Sequence, residues 1–155
     1  MESAPRFPGS SSLSQPSALS GPSALSGPIV FFDGDCIMCN AFLDLMMAAD
    51  QAGRLKVAPL QGETARQYLP PLPQDPEDWS IYLWDGTALS CQSGAVLKIA
   101  EHLGWPWAAL AAAGILPLGL RDGVYRAIAQ NRYRLFGRRD RCRRPTPAEQ
   151  SRFLP

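Results

Sequence analysis

The feature that most constrains the fold is a junction carrying two cysteines, "FFDGDCIMCNAF" at residues 31–42. The β-branched and aromatic run 29–32 predicts a buried strand, and the Asp-Gly pair after it predicts a turn. From Cys36 onward, apolar residues recur at helical spacing until Gly53, which indicates the end of the helix. The sequence therefore predicts two cysteines at the start of a helix that follows a strand.

The rest of the chain continues this alternation of strands and helices. A second Asp-Gly pair lies between two β-prone runs and predicts a hairpin. Ser93 and Gly104 are candidate caps of the helix that follows the hairpin. The predicted strands are 29–32, 55–60, 80–84 and 88–92, and the predicted helices after the first are 62–69 and 93–104. The order β-α-β-α-β-β-α, with additional C-terminal helices, is that of a thioredoxin-like α/β domain.

Composition divides the chain into four parts. Residues 1–28 are rich in Ser, Pro, Gly and Ala and repeat the hexapeptide "PSALSG", which predicts a disordered tail. Residues 29–104 form the predicted thioredoxin-like core, 105–145 a helical extension of the same domain, and 146–155 a second tail. The first part lacks a secretory apolar region, and four cysteines are too few for a dense disulfide framework. We therefore expect a reducing, cytoplasmic location.

Two C-terminal segments differ sharply in charge. Residues 103–120 carry no charge, but prolines and glycines interrupt them and a membrane span needs roughly 20 apolar residues. Two short helices packed on the core are the favoured interpretation, and peripheral contact with a membrane stays open. Residues 121–137 predict an amphipathic helix ending at Gly137. Residues 121–144 include nine arginines and only two acidic residues. We favour pairing of these arginines with acidic residues elsewhere in the chain, and we expect no nucleic-acid partner.

The Cys-x-x-Cys spacing predicts a redox dithiol. Backbone N–H groups and the positive end of the helix dipole favour a thiolate at Cys36, the candidate attacking cysteine. Cys39, one turn later, is the candidate resolving cysteine. Asp33 is the candidate proton acceptor, whereas Asp35 more simply caps the helix.

A zinc site is the main alternative for these thiols. It needs four ligands, often from two Cys-x-x-Cys pairs, and here Cys91, Cys142 and His102 stand apart from one another in the sequence. We therefore expect neither a metal nor a bound cofactor. Cys91 is interpreted as a small buried apolar residue, and Cys142 as either a thiolate favoured by nearby arginines or an exposed residue.

With these residues in view, the sequence resembles the DCC family of thiol-disulfide oxidoreductases, named for the pattern D-x-x-C-x-x-C. That pattern is "DGDCIMC" at 33–39, and the resemblance continues through "APLQ" at 58–61, "SGA" at 93–95 and "YRAIAQNRYRLFGRRDRC" at 125–142. It implies a thioredoxin-like fold and disulfide chemistry at Cys36 and Cys39. Unlike thioredoxin, the chain has Trp79 and Ser80 where a cis-proline would face the dithiol.

The C-terminal block of that resemblance has two interpretations. An arginine of this helix lies near Cys36 and lowers its pKa, or the block is structural. The second is favoured, with Tyr133 and Phe136 in the core and the arginines paired with surface acids.

Two functions from different classes follow. The first is a thiol-disulfide oxidoreductase that acts on protein or small-molecule thiols and disulfides through Cys36 and Cys39. The alternative is a thioredoxin-like binding or adaptor module that docks through its basic C-terminal helices, with the dithiol as a sensor or zinc ligand.

Overall fold

The computed structural model describes residues 27–140 and 143–155. The predictions for the repetitive segment 1–26 and for Cys142 lie outside the described residues. The described part is built on one mixed sheet with helices on both faces, in the thioredoxin-like α/β arrangement that the sequence predicts.

The sheet has four strands in the order β2-β1-β3-β4. Strand β1 pairs in parallel with β2, and antiparallel with β3, which pairs antiparallel with β4. Because a parallel pair needs a crossover connection, a helix joins β1 to β2, and the dithiol lies at the start of that crossover. The strands are β1 Ile29–Phe32, β2 Lys56–Pro59, β3 Tyr82–Trp84 and β4 Leu89–Cys91.

The helices confirm the predicted element order and correct two details. They are α1 Ile37–Ala49, α2 Glu63–Tyr68, α3 Gln92–Leu103 and α4 Leu118–Phe136, with 3-10 helices at Pro76–Asp78, Trp107–Ile115 and Gln150–Arg152. The helix after the dithiol ends at Ala49, with Asp50 as its C-cap, rather than at Gly53. Ser93 does not cap α3, because the helix begins one residue before it and its hydroxyl donates instead to the Asp122 carboxylate. Gly104 ends α3 as expected, in a left-handed conformation that favours glycine.

Strand β1 lies at the centre of the core, with both faces covered. Its side chains alternate between the two faces. Val30 and Phe32 belong to a cluster with residues of α1 and α3, while Ile29 and Phe31 pack with Ala58 and residues of α2. A strand covered on both faces is apolar throughout, which explains why "IVFF" does not alternate.

The C-terminal residues return to the sheet after α4. The amide of Leu154 donates to the Val57 carbonyl at 2.8 Å, and the Thr64 amide donates to the Pro155 carbonyl at 2.8 Å. The segment that the sequence assigns to a tail thus lies along the outer edge of β2, with Phe153 packed against the core.

The segment between α3 and α4 departs from expectation. One 3-10 helix, rather than two short helices, precedes α4, because α4 already begins at Leu118. The 3-10 helix packs against α3, but large apolar side chains stay in solvent, with Trp105 85% and Ile115 88% exposed. In residues 27–140 and 143–155, no helix combines the length and apolar character needed to cross a membrane.

Candidate redox site

The dithiol lies where β1 passes into α1. Cys36 is the N-cap of α1, in an extended conformation, and its Sγ accepts the backbone N–H of Cys39 at 3.2 Å. The expectation that Asp35 caps the helix is wrong, because Asp35 lies one residue too early. Its N–H donates to Oδ1 of Asp33 at 3.0 Å, which closes the turn between strand and helix.

The pKa values of the two thiols are shifted in opposite directions. A hydrogen bond from the Cys39 thiol is the largest influence on Cys36 and lowers its pKa to about 7, against burial, which raises it. The Cys39 N–H and the charge of Arg132 also lower the pKa of Cys36. The same thiol–thiol hydrogen bond, together with burial, raises the pKa of Cys39. The thiolate of the reduced pair therefore belongs to Cys36.

The two cysteines also differ in exposure. Cys36 is 0% exposed, whereas Cys39 is partly exposed. The segment after α4 covers Cys36: Cys36 pairs with Arg138 in an antiparallel bridge, and the Arg139 amide donates to the Asp35 carbonyl at 2.8 Å. The sulfur that holds the negative charge is consequently shielded from solvent.

Cys39 opens into a cavity of about 220 Å³. Its walls are mostly apolar and aromatic side chains from α1, α3, α4 and the segment before β3. They include Met38, Phe42, Trp79, Ile81, Val96 and Ile128, with Asp33 and Arg132 as the charged members. Trp79 and Ser80, which occupy the cis-proline position of thioredoxin, both line this cavity. Cys36 is not among the lining residues.

Asp33 is buried, and both of its carboxylate oxygens are occupied by donors. Oδ1 accepts from the Asp35 amide and from Nε2 of Gln61, each at 3.0 Å. Oδ2 accepts from Nη2 of Arg132 at 3.3 Å and from the Tyr133 hydroxyl. Four donors hold one carboxylate, so Asp33 links the cysteine loop, the turn after β2 and helix α4.

Arg132 is the counter-charge of Asp33 and is equally buried, with 2% of its side chain exposed. The guanidinium donates to the carbonyls of Pro76 at 2.6 Å, Trp79 at 3.0 Å and Ala129 at 2.9 Å. A buried charge persists only when it is paired and hydrogen-bonded. Arg132 therefore fixes the 3-10 helix Pro76–Asp78 and the cavity wall beside Cys39.

These contacts reverse the favoured interpretation of the C-terminal block. For Arg132, pairing with a surface acid is wrong, because Asp33 and several carbonyls draw its guanidinium inside. The less favoured interpretation, an arginine whose charge lowers the pKa of Cys36, describes Arg132. Phe136 is not in the core: it lies in the last turn of α4, where Gly137 turns the chain away, and is half exposed. Tyr133 is partly buried and bonded to Asp33.

Two positioning residues were missed by the sequence analysis. Asn40, in the first turn of α1, donates through Nδ2 to the carbonyls of Gly34 at 2.9 Å and Cys36 at 2.7 Å, so it fixes the loop from inside. The Tyr125 hydroxyl accepts the Ile81 amide at 2.9 Å and holds the segment before β3 against α4. An amide within an otherwise apolar helical pattern was the available signal for Asn40.

The remaining candidate ligands lie elsewhere. Cys91 is exposed, so its interpretation as a buried residue is wrong; it ends the edge strand β4, with which no further described strand pairs. His102 lies in α3 as expected. Across residues 27–140 and 143–155, no three His, Cys, Asp or Glu side chains come together as a metal site would require.

Comparison with known proteins identifies the family. The sequence model of DCC1-like thiol-disulfide oxidoreductases matches residues 30–138, which includes both halves of the site. The chain belongs to this family. It is 35% identical over 129 residues to the uncharacterized protein YuxK of Bacillus subtilis, covering 82% of this chain and 93% of that protein. It is 34% identical over 116 residues to a chloroplastic DCC family protein of Arabidopsis thaliana, covering 74% of this chain and 67% of that protein. No solved structure matches.

The matched residues include most of the structural elements that form the site. They run from β1, through the dithiol, to the segment that covers Cys36 after α4. Membership in this family links the chain with thiols and disulfides in a general sense. The names of these two relatives mention no substrate.

Proposed function

We propose that this protein is a thiol-disulfide oxidoreductase in which Cys36 and Cys39 alternate between a dithiol and an internal disulfide. The observation that carries the proposal is the paired chemistry of the two sulfurs. Cys36 Sγ accepts the Cys39 N–H at 3.2 Å and its pKa is about 7, so a thiolate is available near neutral pH. Two cysteines on one helical turn are close enough to form a disulfide with little backbone movement.

Asp33 and Arg132 support the pair from one side. The positive guanidinium favours the Cys36 thiolate, and the Asp33 carboxylate keeps that guanidinium in place. The role of Asp33 as proton acceptor for Cys39 stays a prediction. Its two oxygens already accept four hydrogen bonds. We propose that its first role is to position Arg132.

A binding or adaptor module is the second candidate, and one observation favours it. Exposed apolar side chains extend from the 3-10 helix Trp107–Ile115 onto α4, where exposed arginines accompany them. Contiguous exposed apolar surface marks an interaction site on many proteins. In this case the dithiol would act as a sensor. Its oxidation would change the affinity for a binding partner and would not oxidise or reduce a substrate.

The deciding experiment is the reduction potential of the pair. Protein with Cys91 and Cys142 replaced by serine would be equilibrated in glutathione and dithiothreitol buffers, and free thiols counted by mass after alkylation. We expect one reversible two-electron transition that disappears in Cys36→Ser and in Cys39→Ser. Absence of an internal disulfide at every poise would refute the oxidoreductase and the redox sensor, and would leave a binding module whose dithiol has no redox role.

A further inference from the structure

The negative charge and the access route belong to different sulfurs of the pair. Cys36 holds the thiolate but is covered by Asp35, Arg138 and Arg139, whereas Cys39 faces the cavity. An exchange reaction needs the attacking sulfur, the attacked sulfur and the leaving sulfur nearly in line. A substrate arriving through the cavity meets Cys39 first.

We infer that the mixed disulfide with substrate forms on Cys39, and that the substrate is a small thiol or disulfide whose apolar, uncharged group fills the cavity beside it. This inference rests on the proposed function. It reverses the assignment expected from the sequence, in which Cys36 bonds the substrate and Cys39 resolves.

The cavity sets the size of that group. Its volume is about 220 Å³, and an apolar cavity of about 150 Å³ is sufficient to hold benzene. One aromatic ring or branched aliphatic group therefore fits. Trp79, Ile81 and Ile128 supply walls that such a group can contact.

The charges of the cavity set its polarity. Asp33 and Arg132 are its charged members, and they form an ion pair at 3.3 Å with side chains only 3% and 2% exposed. Each charge is thus compensated, and neither is open to a carboxylate or ammonium group of a ligand. Placing a charged substrate among the apolar walls would cost its hydration without a partner in return.

The chemistry balances with the two cysteines alone. A substrate thiolate attacks Cys39 Sγ of the internal disulfide, the substrate–Cys39 bond forms, and Cys36 leaves with the electron pair as a thiolate. A second substrate thiolate then attacks the substrate sulfur, releases the substrate disulfide and leaves Cys39 as a thiolate that takes up a proton. Two thiols are oxidised and one protein disulfide is reduced; the reverse sequence reduces a substrate disulfide.

The first step of this direction uses Cys36 for what its surroundings favour. The thiol of lower pKa is the better leaving group in exchange, and the departing Cys36 thiolate is received by the Cys39 N–H. In the reverse direction, Cys39 first attacks the substrate disulfide, and its proton leaves with the departing substrate thiol. The buried Cys36 thiolate then attacks Cys39 Sγ, its neighbour on the same turn, and releases the second substrate thiolate. Cys36 then has no need of solvent access.

Thiosulfonate labelling of the folded, reduced protein tests both parts of the inference. Cys36→Ser and Cys39→Ser, each with Cys91 and Cys142 also replaced by serine, would be treated with benzyl, methyl and 2-sulfonatoethyl methanethiosulfonate. Adducts are counted by mass. We expect the benzyl reagent to label Cys39 at least about tenfold faster than Cys36, a difference of about 1.4 kcal/mol in barrier. After unfolding in urea, the two thiols should react alike.

The cavity itself is tested on the Cys36→Ser protein. Ile128→Trp places a large side chain at the cavity, and Leu135→Trp places the same side chain on an exposed position of the same helix. Ile128→Trp should slow benzyl labelling by about tenfold while methyl labelling stays within about twofold. Leu135→Trp should change neither rate, because only position 128 lines the cavity.

The outcomes separate the inference from the proposed function. Equal or faster labelling of Cys36 in folded protein overturns the assignment of the mixed disulfide to Cys39, and leaves the oxidoreductase intact if the redox transition exists. Labelling of Cys39 as fast by the charged reagent as by the benzyl reagent overturns the substrate class. Loss of the redox transition itself refutes the function, whatever the labelling rates.

Discussion

Two neighbouring positions of α4 reverse the usual relation between hydropathy and burial. Arg132 is 2% exposed at the redox site, whereas Leu135, less than one turn later, is 67% exposed. The arginine is inside because Asp33 and several backbone carbonyls accept hydrogen bonds from its two terminal nitrogens, Nη1 and Nη2. The leucine is outside because no other described element covers that side of the helix.

This difference indicates which side of α4 holds the redox site rigid. Directional contacts fix the inward side of α4. They end at the cysteine loop, at the segment before β3 and at Ser93 of α3. The outward side has large apolar residues but few partners, so it contributes little to stability. Substitutions on the two sides should therefore have very different effects.

The largest effect is expected for Arg132→Met compared with Arg134→Met. Methionine keeps much of the apolar volume but leaves Asp33 buried without its counter-charge, and breaking a buried pair costs about 3–5 kcal/mol. Arg134 is exposed on the same helix, and its substitution should cost less than about 0.5 kcal/mol. The free energy of unfolding is measured by urea denaturation of the reduced proteins. Equal losses for the two variants would contradict the division of α4 into two sides.

The next effect concerns the acidity of Cys36. Cys39→Ala removes the thiol that is the main cause of the low pKa, whereas Cys39→Ser keeps a hydroxyl donor. We expect the pKa of Cys36 to rise from about 7 toward its ordinary 9.0 in the alanine variant, and to rise less in the serine variant. The ultraviolet absorbance of the thiolate, titrated against pH, measures both.

The sign of the accompanying stability change follows from linkage. The folded pKa of Cys36 is about 7 and its ordinary value is 9.0, so between these pH values the folded protein has lost a proton that the unfolded chain still holds. The free energy of unfolding of the reduced protein should rise from pH 7 to pH 9, and this gain is lost as pH falls through 7. Cys39→Ala should flatten the rise, and an equally steep rise in that variant would contradict the role of the Cys39 thiol.

A smaller effect is expected for Tyr125→Phe. The substitution removes the hydroxyl that accepts the Ile81 amide at 2.9 Å and keeps the ring, so the loss should be about 1 kcal/mol, as for a single hydrogen bond. Hydrogen exchange of the Ile81 amide should accelerate more than that of amides in β1. Unchanged exchange at Ile81 would show that other contacts hold the segment before β3.

The sequence predicted the parts of the site that depend on local pattern. The strand before the dithiol, the helix after it and the element order follow from apolar periodicity and turn residues, which act over a few positions. The family resemblance added the C-terminal block. Asp33 was a candidate from its spacing to Cys36, and its place beside the cysteine loop follows from the same local pattern.

What the sequence could not supply depends on contacts between distant segments. Arg132 lies 99 positions from Asp33, and an arginine in a basic helix is ordinarily exposed. The cover over Cys36 likewise comes from Arg138 and Arg139, far along the chain. The local pattern therefore identified both cysteines. It could not show that a distant segment of the chain covers Cys36.

The smallest effect sharpens the comparison from the outward side of α4. Leu135→Ser removes an exposed apolar side chain, so the free energy of unfolding should change by less than about 0.5 kcal/mol. Leu43→Ser, at a position 1% exposed in α1, is the matched control and should cost several kcal/mol, as buried leucine truncations do, at about 2–5 kcal/mol. A loss above about 1 kcal/mol for Leu135→Ser would exceed what an exposed side chain can contribute. It would mean that this side of α4 is covered in solution, and the contrast between the two sides of the helix would then belong to the isolated chain alone.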